Sequence, residues 1–241
     1  MEAGNSHYQT FPDTRWTLVM RANGGSPEER QRALADLCQL YWPPVYAFIR
    51  SGGHTPHDAE DLTQGFFAQF LRRQDFQKTD ASRGRLRSYL LAAAKHYLSD
   101  ERRKEGRQKR GGEVTILSFD AAEAESRCLM PADDMTSERV YVRQWATTLL
   151  ENVIQRLEES YVRKEKGPLF EALKPFIMSG ADTEKQAEIA KSLDMSDAAV
   201  RVAVHRLRQR YAVLLREAVS DTLGPNEDLE TELRELMAAF S

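Results

Sequence analysis

Apolar residues recur at helical spacing along nearly the whole chain. Two of the clearest stripes are Leu34, Leu37, Tyr41 and Val45, and Trp145, Leu149, Val153 and Leu157. A repeat close to 3.6 residues places such side chains on one face of an α-helix, whereas a half-buried strand needs strict alternation. The one short strand candidate, residues 114–119, follows two glycines and is interpreted as an extended linker. The pattern therefore predicts an all-α fold.

Capping residues and helix-breaking residues divide this pattern into two groups of helices. The first group begins at Pro27 after a capping serine, restarts after Thr55 and continues from Leu86 to Glu105. The pair Pro43-Pro44 predicts a kink or a division within the first helix. We predict two helical domains, residues 1–110 and 137–223, with a linker at 111–136 and an acidic tail at 224–241.

The charges of the chain are zoned. In total, 34 basic and 37 acidic residues give a net charge of −3, which by itself argues against a nucleic-acid partner. Residues 83–110, however, carry a net charge of +7 and residues 196–216 of +4, whereas residues 217–241 carry −6. Clustered basic residues are typical of proteins that bind polyanions, although two solvated helix faces would also explain them.

The second basic block lies in a pattern typical of a helix-turn-helix. Thr183 and Gln186 have the spacing of a capping box, and Ser196 can cap the helix that follows a tight turn. A second helix of this kind places its N-terminal half in the major groove of DNA. The same pattern also fits a helical hairpin in any bundle. The candidate duplex-binding residues are Ser196, Ala198, Arg201, His205, Arg206 and Arg208.

Several other classes of protein are disfavoured by the sequence. No run of about 18 apolar residues predicts a membrane span, and the N-terminus lacks the features of a secretory signal, so the cytoplasm is the expected compartment. Cys38 and Cys128 stand alone, without the spacing of a disulfide framework or a zinc module. His54, His57 and Asp61 are candidate metal ligands at one helix start, but no second acidic cluster accompanies them. We expect no metal, no cofactor and no enzymatic activity.

Three segments together resemble the extracytoplasmic-function (ECF) sigma factors of bacterial RNA polymerase. Residues 57–67 (HDAEDLTQGFF) resemble the polymerase-binding helix of that family, and residues 86–103 resemble its promoter-melting helix. Residues 188–210 resemble the helix-turn-helix that reads its upstream promoter element. The order and approximate spacing of the three segments also match the family.

The resemblance implies partners and roles for individual residues. Core RNA polymerase would be bound by Asp58, Asp61 and Gln64, and the duplex minus-thirty-five element by the helix-turn-helix residues named above. An anti-sigma factor is a further candidate partner, and no membrane contact is expected. The unwound minus-ten strand would be bound by Arg83, Arg85, Arg87, Ser88, Tyr89, Lys95, His96, Arg102 and Arg103.

The chain also departs from the family pattern at several places. Gly65 stands where an acidic residue is frequent, and Tyr89 where tryptophan is usual, so Tyr89 belongs either to the core or to a stacking platform. The tail after Leu223 is additional to the family pattern. It either packs on the second domain, which is the interpretation we favour, or masks a basic surface. Two other functions remain open: a helix-turn-helix regulator that is no polymerase subunit, and a metal-dependent enzyme with a helical domain.

Overall fold

The all-α class is confirmed by a computed structural model, which describes residues 26–72, 85–105, 125–126, 128, 135–179, 183–224 and 226–241. This part of the chain contains no β-strand, and the strand candidate at 114–119 lies outside it. The helices are α1 (Pro27–Ser51), α2 (Pro56–Arg72), α3 (Leu86–Glu105), α4 (Ser137–Val162), α5 (Gly167–Leu173), a 3-10 turn (Lys174–Phe176), α6 (Thr183–Ser192), α7 (Asp197–Ser220) and α8 (Leu229–Ala238).

The helices begin where hydroxyl side chains cap them. The Ser26 hydroxyl accepts a hydrogen bond from the Glu29 N–H, and the Glu29 carboxylate accepts one from the Ser26 N–H. The Thr136 hydroxyl accepts a hydrogen bond from the Arg139 N–H at the start of α4, and the Ser196 hydroxyl accepts one from the Ala199 N–H at the start of α7. Each cap satisfies N–H groups that lack a partner in the first turn, which explains why the predicted starts of these helices are confirmed.

Helix α1 continues through Pro43 and Pro44, so of the two predicted effects, a kink or a division, the division is wrong. A proline inside a helix donates no hydrogen bond and destabilises the turn around it. Here Tyr41 and Val45 flank the prolines and are completely buried, and α1 packs most extensively against α4. The apolar area that this contact removes from water outweighs the missing donors.

A single apolar core joins both predicted halves of the chain. From the first half it includes Trp42, Tyr46, Phe66 and Phe67, and from the second half Tyr141, Trp145, Leu149, Val153, Leu157 and Phe170. The apolar stripe predicted along α4 is therefore confirmed. The division into two domains stays a prediction, since α4 belongs to the second half and packs along the first helix.

Glu125, a described residue of the linker predicted between the halves, contacts α1. Glu125 accepts hydrogen bonds from the Arg50 guanidinium at 2.7–3.3 Å and from the Tyr46 hydroxyl at 2.5 Å. These hydrogen bonds, with that from Arg50 the largest cause, lower the pKa of the Glu125 carboxyl. The carboxylate thus ties the linker to the C-terminal end of α1.

Gly65 lies at the contact between α2 and α3. A Cβ atom at position 65 would meet the Tyr97 hydroxyl at a distance shorter than real Cβ contacts show. Tyr97 is held in place by burial and by an edge contact with Phe66, whose ring centroid lies 5.9 Å away. The tyrosine therefore explains why this helix position carries glycine.

We expect Gly65→Ala to lower the free energy of unfolding by up to about 2 kcal/mol. Overpacking costs about 1–3 kcal/mol, which outweighs the roughly 1 kcal/mol that alanine gains in helix propensity. In a Tyr97→Phe background the same substitution should be neutral or stabilising. Urea unfolding of the four proteins in this cycle measures the coupling, and equal effects in both backgrounds would contradict the assigned contact.

Candidate polymerase and nucleic-acid interface

The candidate polymerase-binding residues lie on the accessible side of α2. Asp61 exposes 65% of its side chain, and its carboxylate lies 3.8 Å from His57 Nε2. Gln64 is half-buried and donates a hydrogen bond to Glu60 at 3.3 Å. Asp58 is exposed, but it also accepts a hydrogen bond from the Thr55 hydroxyl at 2.7 Å. Asp61 and Gln64 are therefore open to a partner, whereas Asp58 also stabilises the helix start.

One face of α3 presents exposed polar and basic side chains. Ser88, Lys95, His96, Arg102 and Arg103 are exposed along it, while Arg83 lies outside the described residues. The Lys95 ammonium lies 2.7 Å from the Glu138 carboxylate at the start of α4. The hydrogen bond from Lys95 is the largest cause that lowers the pKa of Glu138. The sequence does not reveal this pairing between α3 and α4.

Tyr89 lies at the edge of an aromatic cleft between α2 and α3. The cleft has a volume of about 350 Å³, and Phe70, Tyr89, His96 and Tyr97 are among its walls. Tyr89 is half-buried, and its ring centroid lies 6.1 Å from that of Phe70 in a tilted contact. The ring thus contributes to the packing and also borders an accessible cavity.

Arg85 and Arg87 contact the C-terminal helix α8. The Arg87 Nε and Nη2 atoms lie 2.7 and 3.1 Å from the two carboxylate oxygens of Glu232, and Nη2 lies 2.7 Å from Glu235. The Arg85 Nε atom lies 2.9 Å from Glu232 and 3.3 Å from Glu227, and Arg85 Nη1 contacts Glu235. Two arginines and three glutamates therefore form one network.

Two aromatic residues of α4 also hold Arg87 in place. Its guanidinium carbon lies 4.8 Å from the centroid of the Trp145 ring, and its carbonyl accepts a hydrogen bond from the Tyr141 hydroxyl at 2.9 Å. Burial lowers the pKa of Arg87, but the hydrogen bonds and charges of Glu232 and Glu235 outweigh burial and raise it. Hydrogen bonds from Arg85 and then Arg87 lower the pKa of Glu235, against the opposing effect of its burial.

The sequence predicts the acidic helix of this network but not its partners. The charge of −6 over residues 217–241 and the leucines at helical spacing indicated an acidic amphipathic helix. The tail packs on the second half of the chain through α7 and α4, and it also contacts Arg85, just before α3, and Arg87 within α3. Masking of a nucleic-acid surface by the tail stays a prediction. The particular glutamates could not be chosen from the sequence, since α3 and α8 are separated by more than 120 residues.

The N-terminal half of α7 carries most of the candidate duplex-binding residues on its surface. Ser196, Ala198, Arg201, His205 and Arg206 are exposed, and residues 193–196 connect α6 to α7. In this connection Asp194 has a φ of 50°, and the Met195 N–H donates to the Ala190 carbonyl at 2.8 Å. The apolar stripe of α7, from Val200 to Leu214, is buried as predicted. The assignment as a helix-turn-helix stays a prediction.

Arg208 differs from the other candidates on α7. Its Nε atom donates to the Phe176 carbonyl at 2.8 Å, and Nη2 donates to the Ser179 carbonyl at 2.7 Å. These bonds satisfy carbonyls at the end of the 3-10 turn and hold that turn against α7. In this structure the Arg208 guanidinium stabilises the scaffold.

Comparison with known proteins finds a similarity that covers part of the chain. Residues 37–108 match the family model of sigma-70 region 2. No curated protein and no solved structure is significantly similar to the chain. No described helix is long and apolar enough to cross a membrane. The matched segment contains α2 and α3 with the surfaces described above, and it supports a sigma-70 family factor of RNA polymerase.

Proposed function

We propose that the protein is a sigma factor of the ECF type, which binds core RNA polymerase and directs it to specific promoters. The observation that carries the proposal is the match of residues 37–108 to sigma-70 region 2. In the structure this segment presents a polar surface on α2 and a basic face on α3. Such a protein acts in the cytoplasm together with the polymerase and performs no bond chemistry itself.

Core polymerase would bind the outer surface of α2. The buried side of this helix, with Phe66, Phe67 and Phe70, anchors it in the core, so Asp61 and Gln64 are held on a rigid support. Rigid presentation lowers the entropy lost on binding. A carboxylate and an amide at this spacing can pair with basic and polar groups of a partner helix.

The unwound minus-ten strand would follow α3. Ser88, Lys95 and Arg102 recur along one exposed face, which suits a DNA backbone, and the cleft beside Tyr89 and His96 is lined by aromatic rings. Single-stranded DNA is held by basic residues along its phosphates and by aromatic surfaces on which its bases stack. A base turned out of the duplex can be bound in such a cavity.

The minus-thirty-five element would be read in its duplex form by α7. Arg201, His205 and Arg206 are exposed on this helix, and the major groove of DNA accepts a helix of this kind. Arginine can bond both acceptors of guanine, and neighbouring basic residues can neutralise phosphates.

Transcription with purified core RNA polymerase tests the function directly. We expect the protein to form a complex with the core enzyme on a sizing column and to start transcripts from a subset of promoters in a genomic library. A regulator that is not a polymerase subunit would bind duplex DNA without forming this complex. Failure to form a complex together with failure to initiate at any promoter would refute the proposal.

The polymerase contact can be tested with a matched pair of variants. We expect Asp61→Ala/Gln64→Ala to weaken binding to core polymerase by about tenfold or more, because truncation of a central contact commonly has effects of this size. The control is Asp36→Ala/Gln39→Ala, which removes the same two exposed residue types at the same spacing from α1. Equal affinities of the two variants, measured by titration of labelled protein, would exclude α2 as the contact.

The variants Arg201→Ala and Arg208→Ala should distinguish a residue that contacts DNA from a residue that stabilises the fold. We expect Arg201→Ala to weaken promoter binding by the holoenzyme by about 1–3 kcal/mol, the value of a bidentate base contact, with little change in stability. Arg208→Ala should instead lower the free energy of unfolding by about 1–3 kcal/mol, because two carbonyls lose their donor. Thermal unfolding and promoter titration distinguish them, and a stability loss at Arg201 alone would reverse the assignment.

A further inference from the structure

Two glutamates of α8, together with Glu227 just before the helix, occupy the donor groups through which Arg85 and Arg87 would bind DNA. Both Nε atoms and further guanidinium nitrogens of the two arginines already contact Glu227, Glu232 or Glu235. Arginine binds carboxylate and phosphate through the same planar set of N–H groups. A phosphate of the unwound strand and the carboxylates of α8 therefore compete for the same donors.

Helix α8 also blocks access to these arginines. Only 8% of the Arg87 side chain and 22% of the Arg85 side chain are exposed, and the side chain of Glu232 is completely buried between them. A DNA strand cannot reach the Arg87 guanidinium while Glu232 remains in place. Binding of DNA at this end of α3 therefore requires α8 to move.

The packing of α8 makes such movement feasible. Leu236 is the one apolar residue of the helix that is completely buried, whereas Met237 exposes 55% of its surface. A cleft of about 310 Å³ borders α8, with Arg87, Glu138 and Glu235 among its walls. Leu229 and Leu233 pack partly buried against the core beside Leu236, and the ion pairs with Arg85 and Arg87 add to this attachment. A competing polyanion weakens those ion pairs.

We propose that α8 is an autoinhibitory latch, which closes on Arg85 and Arg87 and must be displaced before α3 can bind single-stranded DNA. This inference rests on the proposed function of α3. In the free protein, carboxylates of the same chain occupy the positions beside Arg85 and Arg87 that phosphates of bound DNA would take. Displacement exposes two arginines at the N-terminal end of the basic face formed by Ser88, Lys95 and Arg102.

Substitutions that neutralise the carboxylates at nearly constant side-chain size can open the latch in the full-length protein. The opened variant is Glu232→Gln/Glu235→Gln, which removes the two carboxylates that contact both arginines. The control is Glu171→Gln/Glu217→Gln, which changes the net charge equally, at exposed positions of α5 and α7 outside α8. Any non-specific gain in DNA affinity from the charge change is therefore the same in both variants.

The first measurement is the affinity of each variant for a labelled oligothymidylate at several salt concentrations. We expect the opened variant to bind about tenfold more tightly than the control, provided that the latch is closed in about nine-tenths of the molecules. Its plot of log affinity against log salt should be steeper by about 1.4, because each added phosphate contact on a single strand contributes about 0.7. Adding Arg85→Gln to the opened variant should reverse about half of this steepening.

The second measurement uses the wild-type protein, so it does not depend on the folding of a variant. Hydrogen exchange of the α8 amides should become faster when the oligothymidylate is bound, because the helix is displaced. Unchanged protection of α8 in the DNA complex would overturn the proposal. So would an opened variant whose affinity and salt dependence equal those of the control, since the arginines would then be purely structural. If the latch tests fail while the wild-type protein initiates transcription with core polymerase, the proposed function stands without the latch.

Discussion

The packing of α1 against α4 is the contact on which the rest of the structure depends. It joins a segment near the start of the chain to one more than 80 residues later, and aromatic side chains from both helices fill the core between them. Helices α2 and α3 pack on one part of this core, and α5 and α7 on another. The surfaces proposed for polymerase and for DNA are thus carried by one apolar framework.

The sequence predicted the helices well because their signals are local. The bounds of α3 and the buried stripe of α4 follow from residues within a few turns of each other, as do the caps at Ser26 and Ser196. Exposure of Asp61 and Arg201 follows from the same periodicity. The roles of these residues in binding remain predictions, because they depend on partners.

Contacts between distant segments were beyond the reach of the sequence. Periodicity places Arg208 beside Arg201 and His205, but the structure joins it to the carbonyls of a preceding turn. Similarly, Gly65 departs from the family pattern, and only the structure shows that the Tyr97 hydroxyl leaves no room for a side chain there. In both cases the deciding neighbour comes from a different element of the fold, and several neighbours would be compatible with the sequence.

Prolines within α1 have a consequence for the order of folding. A helix that lacks two N–H donors is a poor candidate for independent stability, and the apolar face of α1 is covered mainly by α4. During synthesis at about 5–20 residues per second, α4 emerges several seconds after α1. Throughout that interval the growing chain carries an aromatic surface without its main partner, so chaperones have their greatest opportunity to bind it before the second half is made.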